Sequence, residues 1–405
     1  MEILSCENVA FKYNESTDYA ISDCTFSVKK GEKIMLCGAS GSGKSTLLRL
    51  LKRELSPRGE LSGNITLMGK DRSELSDRES AEKIGFVMQS PDSQTVCDKV
   101  SAELAFGLES FGVKSGEIQS RVGEMAAFFG IEPLYDRNIS TLSGGQKQLV
   151  ALCSVMAIDP DILLLDEPTA QLDPVAAREL LGILDRLNKE MGVTIIIAEH
   201  DPEELFDSCD KILYLANGKT EFFGTPTLTA KYFVKNALEG FLPETSKAFS
   251  GLCDDLPLNV RQGRAKLEKL GATDIPKQAV TDTERAEPYA LQCKNLWQRY
   301  EKSSPDILKS CDLGIRKGEC YGLLGSNGGG KSTLLRVICG LCKPYMGTVS
   351  LFGKKQKAYK NGSLFHEMLA FLPQEPVTMF VKESVREDLL QSGDKVAVEN
   401  VSQRM

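Results

Sequence analysis

The sequence has few of the features that mark membrane-spanning, secreted or nucleic-acid-binding proteins. No apolar run approaches the roughly 18 residues that a membrane-spanning helix needs, so any role at a membrane requires a separate partner. The 12 cysteines show no disulfide spacing and no signal peptide precedes the first predicted strand, which predicts a cytosolic protein with reduced thiols. The net charge of -7 argues against general nucleic-acid binding, because such proteins usually carry a basic surface.

Histidine is also scarce, with 2 residues in a chain of 405. His200 follows a buried strand predicted at 193–197, in line with two other polar strand ends, and this position favours a functional role over an ordinary core or surface role. The remaining composition, 26% charged and 41% hydrophobic, is ordinary for a globular protein. The length allows two or three domains.

The densest signals lie at residues 141–173, which predict a turn, a helix, a strand and a second turn. Ser143 stands where the helix begins, and apolar residues then recur at helical spacing. Residues 162–165 are apolar, as expected of a parallel strand buried on both faces, and Asp166-Glu167 follows at once. The two carboxylates predict either a salt-bridged strand end or a ligand site, because ligands bind at the carboxyl ends of strands in open α/β sheets.

In the second interpretation, Asp166 holds Mg²⁺ through water and Glu167 activates a water molecule. Ser143, Gly144 and Gly145 offer backbone amides at a helix N-terminus, a geometry that suits a phosphate. A helix-capping serine before a glycine turn explains the same three residues, and this stretch alone leaves both interpretations open.

A phosphate-binding loop is predicted upstream, between an apolar run at 34–37 and a helix. The sequence GASGSGKST fits the pattern G-x-x-x-x-G-K-[ST] in the strand-loop-helix context that the pattern requires. Backbone amides wrap the phosphates, Lys44 reaches the terminal phosphates, and the Ser45 hydroxyl ligates Mg²⁺. The predicted phosphate-binding residues are Gly38, Ala39, Ser40, Gly41, Ser42, Gly43, Lys44, Ser45 and Thr46. The alternative is a plain Gly/Ser turn, which the flanking strand and helix disfavour.

Residues 84–106 begin with a strand that we predict to end in Gln89. Gln89 is either a polar strand terminus or, with a phosphate-binding loop upstream, a contact to Mg²⁺ and the attacking water.

Together these residues resemble an ATP-binding-cassette (ABC) ATPase. The phosphate-binding loop, Gln89, LSGGQ, LLLLDEP, Asp173 and His200 occur in the order and spacing of that family. Within that family, PDSQ followed by AELAFG is similar to the energy-coupling-factor group. Two later segments, FLPETSKAFSGL and PLNVRQGRAKL, resemble the connector of that group's double-ATPase members. Such ATPases power the uptake of vitamins and metal ions through a membrane partner.

The resemblance implies an α/β P-loop NTPase fold with an antiparallel β subdomain and a helical subdomain, and ATP and Mg²⁺ as cofactors. Tyr13 would stack on adenine. Glu167 would polarise the attacking water and His200 would contact the γ-phosphate, with Gln89 as the third catalytic residue. Three residues would serve the metal, namely Ser45 and Gln89 directly and Asp166 through water. The signature would cap the γ-phosphate bound to the partner domain, with Asp173 at the interface; its residues are Ser143, Gly144, Gly145 and Gln146.

The pattern then starts again, which makes the chain an internal repeat. Tyr300 precedes Lys331 by the same distance that separates Tyr13 from Lys44. The second set of predicted nucleotide-binding residues is Tyr300, Gly325, Ser326, Asn327, Gly328, Gly329, Gly330, Lys331, Ser332, Thr333 and Gln374. We predict a complete ABC ATPase domain at 1–229, a connector at 230–288 and the N-terminal part of a second ABC ATPase domain at 289–405.

The spacing of the first copy places the second signature, acidic strand and histidine beyond Met405. A fragment of a longer double ATPase and a naturally shortened protein both explain this. We expect the second copy to expose apolar surface. We also expect hydrolysis to require a dimer of first domains or a second ATPase subunit, with Lys44 facing Ser143 of the partner.

The sequence thus predicts an ATPase that powers nutrient uptake from the cytoplasmic face of the membrane. Its expected partners are a polytopic membrane transport subunit and a substrate-binding membrane subunit, and no nucleic acid. The rivals are a soluble ABC ATPase acting on ribosomes or DNA and a nucleotide-binding regulator. The connector carries equal numbers of basic and acidic residues, which disfavours the first rival, and the presence of Glu167 and His200 disfavours the second.

Overall fold

A computed structural model describes residues 1–269, 271, 288–302, 304–359, 363–374 and 376–392. The chain divides into two compact units, Met1–Gln278 and Ala279–Met405, called here the first and second units. Part of the predicted connector (residues 270 and 272–287) and the last residues, 393–405, lie outside the described residues. Among the described residues, no helix combines the length and apolar character that crossing a bilayer requires.

The first unit alternates strands and helices along most of its length. Its strands are β1 Glu2–Tyr13, β2 Ile21–Lys29, β3 Lys33–Cys37, β4 Gly59–Leu67, β5 Lys70–Asp71, β6 Ile84–Val87, β7 Ile162–Asp166, β8 Thr194–Ala198, β9 Lys211–Ala216 and β10 Lys219–Gly224. Its helices are α1 Lys44–Leu51, α2 Asp77–Lys83, α3 Val100–Ser110, α4 Ser115–Phe129, α5 Gly144–Met156, α6 Pro174–Met191, α7 Pro226–Lys235, α8 Glu244–Phe249 and α9 Val260–Lys269.

A six-stranded sheet in the order β10-β9-β3-β8-β7-β6 positions the predicted site residues. Its strands β9, β3, β8, β7 and β6 are parallel, and β10 is antiparallel to β9. Alternate residues of each strand enter different cores, so Met35 and Ile34 face opposite sides. Burial on both faces explains the apolar runs of these strands, and it leaves polar residues only at the strand ends.

An antiparallel sheet in the order β2-β1-β4-β5 covers one side of the unit. Its alternating buried residues, such as Val9 and Phe11, share a core with Leu47 and Leu48 of α1. The helices α3, α4 and α5 pack with one another on the other core. These two regions are the antiparallel β and helical subdomains that the sequence predicts.

Two local expectations need correction. Gln89 lies two residues beyond β6, which ends at Val87 because the chain turns into Ser90-Pro91. The helical spacing of four apolar residues, Leu180, Leu184, Leu187 and Met191, predicts one buried stripe along α6. The three leucines are buried, but Met191 is 39% exposed. The helix ends there in the left-handed Gly192, so its last turn projects past the core.

The start of the segment predicted as a connector packs on the first unit. Ala230 and Phe233 of α7 are fully buried, and Leu242, Phe249 and Leu258 enter the same core as α6 and β8. Asn259 Nδ2 donates to Asp207 Oδ2 over 2.6 Å. The division of the chain at 229 and 288 stays a prediction.

The second unit contains strands β11 Tyr289–Gln298, β12 Leu308–Arg316, β13 Met346–Leu351 and β14 Lys354–Lys355, and helices α10 Lys331–Ile338, α11 Ser363–Glu367 and α12 Val385–Ser392. Its sheet, in the order β12-β11-β13-β14, has the connections of the first antiparallel sheet. Residues 320–324, which correspond to β3, form no strand, and Leu324 is 92% exposed. This exposed residue fits the expected apolar surface.

Candidate functional site

The predicted phosphate-binding loop joins β3 to α1 in a conformation that requires glycine. At Gly38, φ is 155°, and an added Cβ would lie 2.2 Å from the Leu215 carbonyl oxygen. At Gly43, φ is 100°, and an added Cβ would lie 2.6 Å from the Ala20 oxygen. Any residue other than glycine at these two positions would therefore push the loop out of this conformation.

Lys44 lies inside this loop. Its Nζ donates hydrogen bonds to the carbonyl oxygens of Gly38, over 2.8 Å, and of Ala39, over 3.1 Å. Burial lowers the pKa of Lys44, and the nearby carboxylates of Glu167 and Asp166 oppose that shift. The loop thus holds an ammonium group where the terminal phosphates of a bound nucleotide would need positive charge.

The two carboxylates after β7 have different partners. Asp166 Oδ1 accepts a hydrogen bond from Ser45 Oγ over 2.7 Å. Burial raises the pKa of Asp166, and the bond from Ser45 acts against that rise. The hydroxyl and the carboxylate predicted to serve Mg²⁺ are therefore adjacent.

Glu167, which follows β7, contacts one residue that follows β6 and one that follows β8. Its Oε2 accepts a hydrogen bond from Gln89 Nε2 over 2.8 Å, and its Oε1 lies 2.7 Å from His200 Nε2. Its φ of 47° is left-handed, which costs a residue with a side chain on the order of 1 kcal/mol. The structure thus brings together the three residues predicted to be catalytic.

A cavity of about 290 Å³ opens over the loop. Tyr13 lies at its edge, where the phenol and the Thr46 hydroxyl form a hydrogen bond of 2.9 Å. Phe11 packs edge-on against the Tyr13 ring, 5.0 Å between centroids. The cavity is lined by Tyr13, Ala20, Ser40, Gly41, Gly43, Lys44, Ser45, Thr46, Glu167 and His200.

The residues in and around this cavity fit a nucleoside triphosphate with Mg²⁺. Ser42 Oγ is buried and has no hydrogen-bond partner among the described residues, as expected of a group that bonds a ligand oxygen. Ser45 and Asp166 supply the hydroxyl and carboxylate oxygens that Mg²⁺ prefers. Ala20 is the one lining residue that the sequence analysis missed, because no motif marks it.

The signature residues and Asp173 lie apart from this cavity. Ser143 caps α5: its Oγ accepts from the Gln146 amide over 3.3 Å, and Gln146 Oε1 accepts from the Ser143 amide over 3.0 Å. Asp173 caps α6 through the amides of Val175 and Ala176. The capping alternative for Ser143 is thus present within this chain, and Gly144 and Gly145 open the helix.

The second phosphate-binding loop repeats the local geometry of the first. Lys331 Nζ donates to the carbonyl oxygens of Gly325, over 2.6 Å, and Ser326, over 2.8 Å. Tyr300 and Thr333 form a hydrogen bond of 3.1 Å between their hydroxyls. Gln374 is exposed. Nucleotide binding by these residues stays a prediction.

The fold and the loop define a P-loop ATPase of the cassette type. The ABC transporter family model matches residues 21–170 and 308–405. The chain belongs to this family. Its ATPases hydrolyse ATP and couple hydrolysis to transport, and this chain is such an ATPase.

The similar proteins cover most of the chain. A Bacillus thuringiensis subsp. konkukian protein, provisionally named an ABC transporter ATP-binding protein, is 38% identical over 94% of this chain and 69% of its own length. A Bacillus subtilis protein provisionally named HMP/thiamine import ATP-binding protein YkoD is 32% identical over 96% of this chain and 71% of its own.

A solved structure is also similar. It is cbiO1 from Clostridium perfringens, described as part of the ABC transporter complex cbiONQ. It is 33% identical, with a TM-score of 0.53 over 59% of this chain and 94% of that chain.

Proposed function

We propose that this chain is the ATPase subunit of an energy-coupling-factor type transporter that imports a vitamin, a metal ion or a similar small nutrient. The observation that carries the ATPase role is the contact of Gln89, Glu167 and His200 beside the Lys44 loop. The likeness to cbiO1 and YkoD supports the transporter type.

The proposed chemistry is transfer of the γ-phosphoryl group of ATP to water. Bound Mg²⁺ would neutralise phosphate charge, with Ser45, Gln89 and Asp166 as its holders. Lys44 binds the terminal phosphates, and Glu167 accepts a hydrogen bond from the attacking water and orients it. His200 donates to the γ-phosphate. Catalysis then consists of positioning and charge neutralisation.

The signature requires a partner, since Ser143 lies outside the cavity of its own chain. We propose that two first units pair isologously, so that Lys44 of each faces the Ser143–Gln146 signature of the other. A second ATPase subunit with the same signature would serve equally well.

Mixing two inactive variants tests this pairing. Lys44→Ala and Ser143→Arg should each abolish hydrolysis, but a mixed dimer keeps one site with both residues intact. Random mixing should therefore recover up to about a quarter of wild-type activity. The variants assayed separately are the controls, and no recovery at any mixing ratio contradicts the composite site.

We propose that the surface of residues 89–107 receives a cytoplasmic helix of the membrane subunit. Both ends of this segment are pinned: Gln94 Oε1 accepts from the Met88 amide over 3.0 Å, and Glu103 Oε2 accepts from the Cys97 amide over 2.8 Å. Between them Val96 is 66% exposed. A segment held in this way, with an apolar side chain exposed between the two hydrogen bonds, suits docking because little conformational freedom is lost on binding.

Co-purification tests the docking surface. Val96→Asp should remove the membrane subunit from the ATPase after detergent solubilisation, while hydrolysis by the chain alone persists. Leu228→Asp, at a comparably exposed apolar residue of α7, is the control and should keep the partner. If the wild-type chain stays wholly soluble in a host that expresses the membrane subunits, the transporter proposal is wrong.

A further inference from the structure

Glu199 is a buried carboxylate that the proposed chemistry does not use. It follows β8, directly before His200, and is 4% exposed. Its Oε1 accepts two hydrogen bonds from one residue, Thr169: from the hydroxyl over 2.6 Å and from the amide over 3.1 Å. Burial raises the pKa of Glu199, and these bonds act against the rise. A buried carboxylate needs such partners, and here they come from the turn after Glu167.

The backbone of that turn adopts a conformation that is unfavourable for a residue with a side chain. Glu167 is left-handed, with its amide donating to the Ala198 oxygen over 3.0 Å and its own oxygen accepting from Ala170 over 3.2 Å. Thr169 then accepts from the Leu172 amide over 2.9 Å, one residue before Asp173. Such backbone conformations persist only where the surroundings over-determine them. Thr169 lies at the middle of this turn, and Glu199 holds it from the neighbouring strand.

We propose that Glu199 is a positioning residue: its two hydrogen bonds to Thr169 fix the turn that carries Glu167 and Asp173, and they tie this turn to the strand end that carries His200. The inference rests on the proposed role of Glu167. A small displacement of a group that orients the attacking water lowers the rate strongly. The proposed phosphate contacts of Lys44 come from another loop and should not change. Loss of the bonds should therefore lower kcat and leave the KM for ATP nearly unchanged.

Thr169→Val is the primary test, because it removes the hydroxyl with little change of shape. In the full chain with Mg²⁺ and ATP, we expect kcat to fall about tenfold and KM to stay within about twofold. Thr229→Val is the matched control: Thr229 is fully buried, and its hydroxyl donates to the Thr225 oxygen within α7 over 2.9 Å. This control should lose a similar amount of thermal stability and keep its kcat.

Variants of Glu199 supply the second test. Glu199→Gln keeps an acceptor oxygen, so kcat should fall only about threefold, while Glu199→Ala should match Thr169→Val or exceed it. Because both residues act through the same bonds, Thr169→Val combined with Glu199→Ala should be no worse than Glu199→Ala alone. Should Glu199→Ala fail to fold, Thr169→Val and Glu199→Gln decide the question.

The outcomes separate this inference from the proposed function. If Thr169→Val keeps wild-type kcat while Glu167→Gln loses it, Glu199 is a structural contact only and the inference is overturned. If Glu167→Gln itself keeps wild-type turnover, the proposed role of Glu167 is wrong. A fall in kcat for Thr229→Val equal to that for Thr169→Val also overturns the inference, because the loss then reflects stability alone.

Discussion

The two phosphate-binding loops of this chain have the same internal geometry in different surroundings. Lys44 and Lys331 each donate to the carbonyl oxygens of the first two loop residues. Tyr13 and Tyr300 each form a hydrogen bond with the last threonine of the adjacent loop motif, Thr46 and Thr333. The loop and its aromatic neighbour therefore depend on local sequence.

The surroundings of the loops depend on distant strands. In the first unit β3 lies between β8 and β9, and a Cβ on Gly38 would strike the oxygen of Leu215 in β9. In the part of the second unit that the structure describes, a Cβ on Gly325 would come within 4.0 Å of Lys331 Cδ alone. A P-loop motif thus predicts the shape of the loop, while residues of other strands, such as Leu215 and Glu167, provide its burial and the reactive strand ends.

The largest expected effect is that of Glu167→Gln. This change keeps the side-chain shape and removes the carboxylate that orients water, so hydrolysis should fall about 10²–10⁴-fold while ATP binding persists. The described second unit offers no corresponding carboxylate beside Lys331, so no second site should sustain turnover. Phosphate release and nucleotide binding are measured on the same preparation, and wild-type turnover would refute the assignment.

Lys44→Ala and Lys331→Ala remove the same group from two loops of the same geometry, but we expect them to change hydrolysis by different amounts. Removing the Lys44 ammonium should lower hydrolysis about 10²–10³-fold, as expected for loss of one charge that stabilises the transition state. Lys331→Ala should change hydrolysis less than about twofold. Activity lost on Lys331→Ala alone would show that the second loop takes part, and the thermal melting of both variants controls for unfolding.

The same contrast explains what could be predicted from sequence. The order of strands and helices follows from apolar periodicity, and motif order carries the family and the placement of Lys44, Asp166 and Glu167. The contact between Glu199 and Thr169 was not predicted, although Glu199 shows the signal used for Asp166, an acidic residue after a buried strand. This contact could be predicted only from the knowledge that β7 and β8 are neighbours in the sheet.

Packing of residues 230–258 on the first unit was missed for a similar reason. Their apolar residues are spaced over short helices and turns, so periodicity is weak, and only the tertiary core shows that Phe233 and Phe249 belong with β8. The prediction of a connector rests on the resemblance of FLPETSKAFSGL and PLNVRQGRAKL to the connector of double-ATPase members, which carries no information about packing.

Gly38→Ala and Gly325→Ala should differ in the free energy of unfolding that each one costs. Both positions have nearly the same φ, 155° and 156°, so backbone strain of about 1 kcal/mol is common to both. Gly38→Ala should cost a further ~2 kcal/mol because its Cβ overlaps the Leu215 oxygen. Urea unfolding is followed by far-UV circular dichroism, which reports on the helices and strands of both units. The fluorescence of Trp297, the only tryptophan, reports on the second unit. Equal losses for the two variants would contradict the packing argument.

The smallest expected effect is that of Tyr13→Phe compared with Tyr300→Phe. The phenol of Tyr13 bonds Thr46, which orients the ring that we propose to stack on adenine. Loss of a hydrogen bond of this kind costs about 0.5–1.5 kcal/mol, so the KM for ATP should rise about two- to tenfold with little change in kcat. Tyr300→Phe removes the same local bond from the second unit and should leave both constants unchanged. Tyr13→Ala, which removes the ring, should raise KM more than Tyr13→Phe. If Tyr13→Phe and Tyr300→Phe change KM equally, both loops bind the assayed nucleotide, and the proposed functional difference between the two units is wrong.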